Sequence, residues 1–133
     1  MPSLDLERLV GSTPGTRTRA RLDGTWRNDL GSELTLHVTE EHALLGSFRP
    51  PRADGVALAH PVHGFADGSA FACCVDFGEH GSVASWTGHH VIDDDGERLE
   101  TLWLLARSSD ETGAGAPAWG SLLTGANSFV RTD

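Results

Sequence analysis

From Leu22 onward, the sequence is built of short segments in which apolar and polar residues alternate, separated by turns rich in Gly, Asp and Pro. Alternation with a period of two predicts β-strands that bury one face. Eight strands joined by short turns are typical of an antiparallel up-and-down barrel, which closes on itself and leaves no sheet edge exposed. The predicted strands are 22–29, 32–39, 43–50, 58–65, 70–77, 82–91, 97–107 and 118–130.

The N-terminal 21 residues do not share this alternation. Leu6 and Leu9 lie one helical turn apart and predict a short helix, followed by a stretch that has the composition of a linker. We therefore expect an all-β chain with two parts. Residues 1–21 form an N-terminal arm, either a short helix or disordered, and residues 22–131 form the barrel domain.

The charge and hydropathy of the chain exclude several classes of partner. With 19 acidic residues against 10 arginines and no lysine, the net charge of −9 argues against nucleic acid and anionic membranes as partners. No apolar run approaches the roughly 20 residues needed to span a bilayer. The N-terminus lacks a basic region followed by an apolar stretch, so we expect no signal peptide in this chain, which is cytoplasmic as given; because a chain trimmed of its signal would look the same, the compartment stays open.

No motif for metal binding or catalysis stands out. The seven histidines lack the spacing of a zinc site, and the acidic run Asp93–Glu97 is better explained as a hairpin turn than as a calcium loop. The adjacent Cys73 and Cys74 point to opposite faces of a strand and should not form a disulfide with each other. No Gly-x-Ser-x-Gly elbow or recognisable triad order occurs. We expect neither a metal site nor an enzyme.

The alternation also predicts which side chains point into the barrel. The inward faces carry several aromatic rings together with four polar side chains. A ring on its own would more often be core packing, but a buried polar group without a partner costs roughly 1–3 kcal/mol, so four together favour a ligand. An eight-stranded barrel leaves room for one small molecule. The four polar residues are Asn28, Ser32, Ser82 and Asn127.

Residues 102–106, Leu-Trp-Leu-Leu-Ala, are apolar on both faces of the seventh predicted strand. A strand with one face in water should alternate. We therefore expect the outer face of this strand, with Leu102 and Leu104, to be buried against another subunit.

Five segments of the chain together resemble the avidin–streptavidin family, and they occur in the family's order. The resemblance covers about residues 22–131. The first segment reads Gly-Thr-Trp-Arg-Asn-Asp-Leu-Gly-Ser; its Gly-x-Trp alone is weak, because lipocalins also begin with it, and it is the five segments together that make the match strong. The segments are Gly24–Ser32, Pro61–Gly64, Trp86–Gly88, Thr101–Leu105 and Trp119–Phe129.

This resemblance implies a homo-oligomer that binds biotin non-covalently, as a ligand and not as a cofactor, with a tetramer favoured over a dimer. Asn28 and Ser32 would hold the ureido oxygen, and Asn127 would accept from a ureido N–H. Ser82 would meet the valerate carboxylate. The remaining walls would be formed by Trp86, Trp103, Leu105, Leu123 and, reaching in from a neighbouring subunit, Trp119.

Four positions depart from the family's pattern. Phe48 replaces a Tyr that donates to the ureido oxygen, and Pro50 replaces a Ser or Thr. Ala84 replaces a Thr that touches the ring sulfur, and Phe77 replaces a wall Trp. We therefore expect weaker biotin binding than in streptavidin. Members of the family are often secreted, whereas the N-terminus of this sequence has no signal-peptide pattern.

Two other functions are compatible with the same residues. The loss of hydroxyl groups at Phe48 and Ala84 makes the predicted pocket more apolar, as in a barrel that carries another small apolar ligand. The chain could also serve as an oligomeric scaffold whose pocket is vestigial.

Overall fold

The computed structural model describes residues 5–10, 17–51, 58–78, 81–108 and 122–132, and it confirms the predicted all-β barrel. One short helix, α1, spans Leu6–Leu9 and precedes the strands. No helix in these ranges is long and apolar enough to cross a membrane. The strands are β1 Gly24–Arg27, β2 Glu33–Val38, β3 Ala43–Arg49, β4 His60–Asp67, β5 Ala70–Asp76, β6 Ser82–Asp93, β7 Gly96–Arg107 and β8 Leu122–Arg131.

Each strand pairs antiparallel with the next, and β1 pairs with β8 to close the barrel. The closing pair is short: Trp26 lies opposite Arg131, and Arg27 lies opposite Val130. Closure removes the exposed edges that would otherwise recruit further strands.

The strands bury one face, as their alternation predicts. In β5, Phe71, Cys73 and Val75 are buried, whereas Ala72 and Cys74 between them are exposed. Both cysteines are free thiols on opposite faces, and burial raises the pKa of Cys73 to about 12. The thiol of Cys73 is therefore protonated and acts as a small apolar core group.

Residues 17–23, which directly precede β1, are packed against the barrel. Ala20 and Leu22 are buried, because their apolar side chains cover the end of the core. Arg17 Nε lies 3.2 Å from Asp67 Oδ2, and Arg19 donates to the Val38 carbonyl at 2.9 Å. Part of the stretch that the composition assigns to the arm thus belongs structurally to the barrel.

A cluster around Trp26 closes one end of the barrel. The Trp26 indole N–H donates to the Leu22 carbonyl at 3.0 Å, and the Arg131 guanidinium lies 4.2 Å from the centre of the Trp26 ring. Arg131 Nε donates to Glu97 Oε1 at 2.8 Å, and His90 Nε2 lies 2.8 Å from Glu97 Oε2. Hydrogen bonds from Arg131 and His90 lower the pKa of Glu97 to about 2, so Glu97 stays ionised at neutral pH and holds Arg131 over the ring.

Candidate ligand-binding site

A cavity of about 390 Å³ lies at the end of the barrel opposite Trp26. It is formed where β1, β3, β5 and β7 end and where β2 and β6 begin, together with the middle of β8. Its volume falls in the range of cavities that enclose one small molecule. The lining residues in the described ranges are Asn28, Leu30, Ser32, Phe48, Phe77, Ala84, Trp86, Trp103, Leu105, Gly125, Ala126 and Asn127.

Asn28 is held in place by the turn between β1 and β2. Its side-chain oxygen accepts the backbone N–H of Leu30 at 3.1 Å and that of Ser32 at 2.9 Å. Asn28 N also donates to the Ser32 carbonyl at 3.1 Å. Two backbone donors require an oxygen, which fixes the orientation of the amide. The NH₂ group is then the part of this buried side chain left to donate into the cavity.

The structure brings together three of the four polar residues that the strand faces predict. Ser32 is buried immediately before β2, and the half-buried Asn127 lines the same cavity from β8. The backbone of Asn127 is fixed by its carbonyl, which accepts the Thr101 hydroxyl at 3.0 Å. An amide NH₂, a hydroxyl and a second amide thus lie on the wall of one cavity.

Ser82, the fourth predicted polar residue, has a different position. It is the first residue of β6 and lies opposite Arg107 of β7. It lines a separate depression with Arg107 and Ser108, and it is not among the described lining residues of the cavity.

One side of the cavity carries a cluster of three aromatic rings, Phe48, Phe77 and Trp86. The Phe48 ring lies 4.9 Å from the Trp86 ring in a tilted arrangement, and 6.0 Å from the Phe77 ring in an edge-to-face arrangement. The His60 ring packs edge-on against Phe77, 5.0 Å away, but His60 is not among the described lining residues. The indole nitrogen of Trp86 is buried and has no hydrogen-bond partner among the described residues.

Trp103 lines the cavity from β7, beside Trp86, its register partner in β6, and the predicted Ala84 and Leu105 also line the cavity. Leu123 lies directly opposite Leu105 in the β7–β8 pair, is 39% exposed, and is not among the described lining residues. Trp119 lies outside the described residues.

Three lining residues were not predicted from the sequence: Leu30, Gly125 and Ala126. Leu30 is 75% exposed in the β1–β2 turn, where strand alternation has no meaning. Gly125 did carry a signal, because a glycine inside a strand often marks a close approach by another group.

The described lining contains no charged side chain, and no three His, Cys, Asp or Glu residues in the described ranges could together hold a metal ion. The donors and acceptors are neutral amides and a hydroxyl. Such a cavity can bind a neutral polar group attached to an apolar body.

The Avidin family model matches residues 16–132 of this chain. Avidin from Gallus gallus is 30% identical over 132 residues, an alignment that covers 89% of this chain and 83% of avidin. The crystal structure of xenavidin superimposes with a TM-score of 0.71 at 27% identity, covering 86% of this chain and all of xenavidin (100%). The biotin binding protein from chicken gives a TM-score of 0.71 at 26% identity, covering 85% and 97% of the two chains.

The family model and the likeness to avidin both extend over almost all of the barrel, including the strands that line the cavity. The chain therefore belongs to the avidin family, whose members bind biotin as a ligand and are not enzymes.

Proposed function

We propose that the cavity binds biotin non-covalently. The observation that carries this proposal is the placement of Asn28, Ser32 and Asn127 on the wall of one otherwise apolar cavity. One of the similar solved structures is named a biotin binding protein.

The chemistry of the wall matches the ring system of biotin. The ureido oxygen would accept from the Asn28 NH₂ group and the Ser32 hydroxyl. The side-chain amide oxygen of Asn127 would accept from a ureido N–H. The fused rings and the aliphatic chain are apolar, and they would be buried against Phe48, Trp86 and the other rings of the cavity. Burial of apolar surface contributes roughly 25 cal/mol for each Å², which supplies much of the driving force.

The affinity is expected to be lower than that of streptavidin, whose biotin complex is among the tightest non-covalent complexes known. Phe48, Pro50 and Ala84 present no side-chain donor or acceptor where the family has polar groups. Each missing hydrogen bond costs about 1–2 kcal/mol, which gives a deficit of roughly 3–6 kcal/mol, or about two to four orders of magnitude in affinity.

Calorimetric titration with biotin tests both the function and the affinity. We expect measurable heat, a change in tryptophan fluorescence as the ligand covers Trp86 and Trp103, and faster dissociation than from streptavidin. Phe48→Tyr should tighten binding by roughly 5- to 10-fold, because it returns one hydroxyl donor to the wall. Phe77→Tyr makes the same chemical change on the neighbouring ring and should not.

Dissociation as slow as that of streptavidin would contradict the lower affinity. The absence of heat at high biotin concentration would contradict biotin binding altogether. In that case the aromatic wall of Phe48, Phe77 and Trp86 favours the alternative that the protein carries another small apolar ligand. Displacement of an apolar fluorescent probe from the cavity would detect such a ligand. A chain that bound neither would be an oligomeric scaffold.

We also propose that the chain assembles as a homotetramer, a dimer of dimers, with a dimer as the alternative. The outer face of β6–β8 carries Val83, Leu102, Leu104 and Leu122, and Leu102 is 66% exposed in the single chain. Contiguous apolar surface of this kind is uncommon on a monomer and marks contact surfaces.

Light scattering at micromolar chain concentration should return the mass of a tetramer. Leu102→Asp should lower that mass, because a carboxylate would have to be buried in the contact. Ile92→Asp is the matched control, since Ile92 is equally exposed (66%) but lies at the closed end of the barrel. A monomer mass for the unmodified chain, with and without biotin, would exclude the assembly.

A further inference from the structure

Gly125 lies directly under the ring of Trp103. The two residues are register partners in the β7–β8 pair, and both line the cavity. A Cβ atom at Gly125 would lie 2.5 Å from Trp103 Cζ2, 2.6 Å from Cε2 and 2.8 Å from Nε1. These distances are shorter than any real contact between such atoms, so the indole occupies the space that any other residue at position 125 would need for its side chain.

The obstacle at Gly125 differs in kind from that at other inward-facing glycines. At Gly64 and Gly88, an added Cβ would lie 2.0 Å from a backbone carbonyl oxygen of the adjacent strand. A substitution there would push two strands apart. At Gly125 the nearest atoms belong to the outer part of one side chain, which can rotate about its two side-chain torsions without moving the sheet.

The direction in which the ring can move follows from the pairing. Trp103 lies between Gly125 of β8 and Trp86 of β6, which are its register partners on the two sides. A ring displaced from Gly125 therefore moves toward Trp86 or into the lumen, and both movements reduce the cavity. We propose that Gly125 is a positioning residue that holds the Trp103 indole against β8 and so sets the width of the cavity available to the ligand.

The consequence for ligand affinity rests on the proposed biotin binding. Gly125→Ala should weaken biotin binding by roughly 10- to 100-fold, because the added methyl group overpacks the site and displaces the Trp103 ring into space that the ligand needs. The barrel should keep a thermal midpoint close to that of the unmodified chain, because the ring and not the backbone yields. Calorimetric titration and thermal unfolding measure the two effects.

A double-mutant cycle shows whether Gly125 acts through Trp103. Leucine ends at its Cδ atoms and does not reach the positions of Cε2 and Cζ2. In a Trp103→Leu background, Gly125→Ala should therefore change biotin affinity by less than about 3-fold. An equal loss in both backgrounds would overturn the proposal, since it would show that Gly125 matters for another reason.

The ring position can also be followed without ligand. The four tryptophans give four indole N–H signals in a ¹⁵N–¹H spectrum, and the signal of Trp103 is the one lost in Trp103→Leu. Gly125→Ala should shift this signal. A shift without biotin binding by either protein would support the positioning role and contradict the proposed function. An unshifted signal would contradict the positioning role.

The Trp103→Leu background also tests the proposal if Gly125→Ala alone does not fold. If Gly125→Ala unfolds and Gly125→Ala/Trp103→Leu folds, the clash is with the indole, as proposed. If both unfold, the backbone itself requires glycine at this position and the proposal is wrong.

Discussion

Replacing Asn28 with alanine is expected to weaken biotin binding by roughly 30- to 1,000-fold, equivalent to about 2–4 kcal/mol. The substitution removes two functions at once. The NH₂ donor to the ligand is lost, and so is the oxygen that anchors the backbone N–H groups of Leu30 and Ser32. Without that anchor the β1–β2 turn loosens and Ser32 moves away from its place on the wall. Calorimetric titration measures the loss.

Two matched variants separate these functions. Asn28→Asp keeps an oxygen for the two backbone donors but replaces the NH₂ group with a second oxygen. A carboxylate only accepts hydrogen bonds, so it would repel the ureido oxygen of the ligand, which is also an acceptor. It should fold with the thermal midpoint of the unmodified chain and still lose most of the affinity. Ser32→Ala removes one hydroxyl alone and should cost roughly 5- to 10-fold. If Asn28→Asp bound biotin as tightly as the unmodified chain, Asn28 could not be a donor to the ligand.

Trp26→Ala is expected to have the largest effect on stability, lowering the free energy of unfolding by roughly 3–5 kcal/mol. Trp26 is fully buried, and its ring supports the Arg131 guanidinium on one side and contacts the His90 ring, 5.6 Å away, edge-on. Removing the ring leaves a cavity at the closed end, and the Leu22 carbonyl loses its donor. Urea denaturation followed by circular dichroism measures the change.

Trp26→Phe is the control, because it keeps a ring under Arg131 and removes mainly the donor to Leu22. It should cost clearly less, about 1–3 kcal/mol for the unpaired carbonyl and the smaller ring. The folded fraction of both variants should bind biotin as the unmodified chain does, since the cavity lies at the other end of the barrel. A loss of under about 1 kcal/mol in Trp26→Ala would show that this cluster does not hold the closed end together.

The strand alternation was enough to predict the barrel and the inward-facing residues. A period of two assigns each side chain to one of two faces, and in an up-and-down barrel one face is the interior. This is why the sequence could predict Asn127 on the cavity wall, together with Asn28 and Ser32, which lie one residue beyond β1 and β2 and continue the parity of those strands. It is also why Cys73 and Cys74 were correctly assigned to opposite faces.

The same alternation says nothing about depth along the barrel axis, and it does not apply outside the strands. Ser82 has the parity of Ala84 but is the first residue of β6, beside Arg107, and so lines a different depression. Leu30 lines the cavity from a turn. How far a residue stands from the cavity depends on strand stagger and turn length, which are set by the pairing of whole strands.

Contacts between residues far apart in the sequence were decided by the tertiary structure alone. Ala20 is buried at the barrel end although its segment has the composition of a linker, because the exposed end of the core offers apolar surface only once the barrel has closed. Arg131 meets Glu97 and Trp26 because β8 closes against β1 and β7. The Trp103 ring lies over Gly125 because of strand pairing as well. The sequence contains a large ring at position 103 and no side chain at position 125, but only the β7–β8 register places the ring over the glycine.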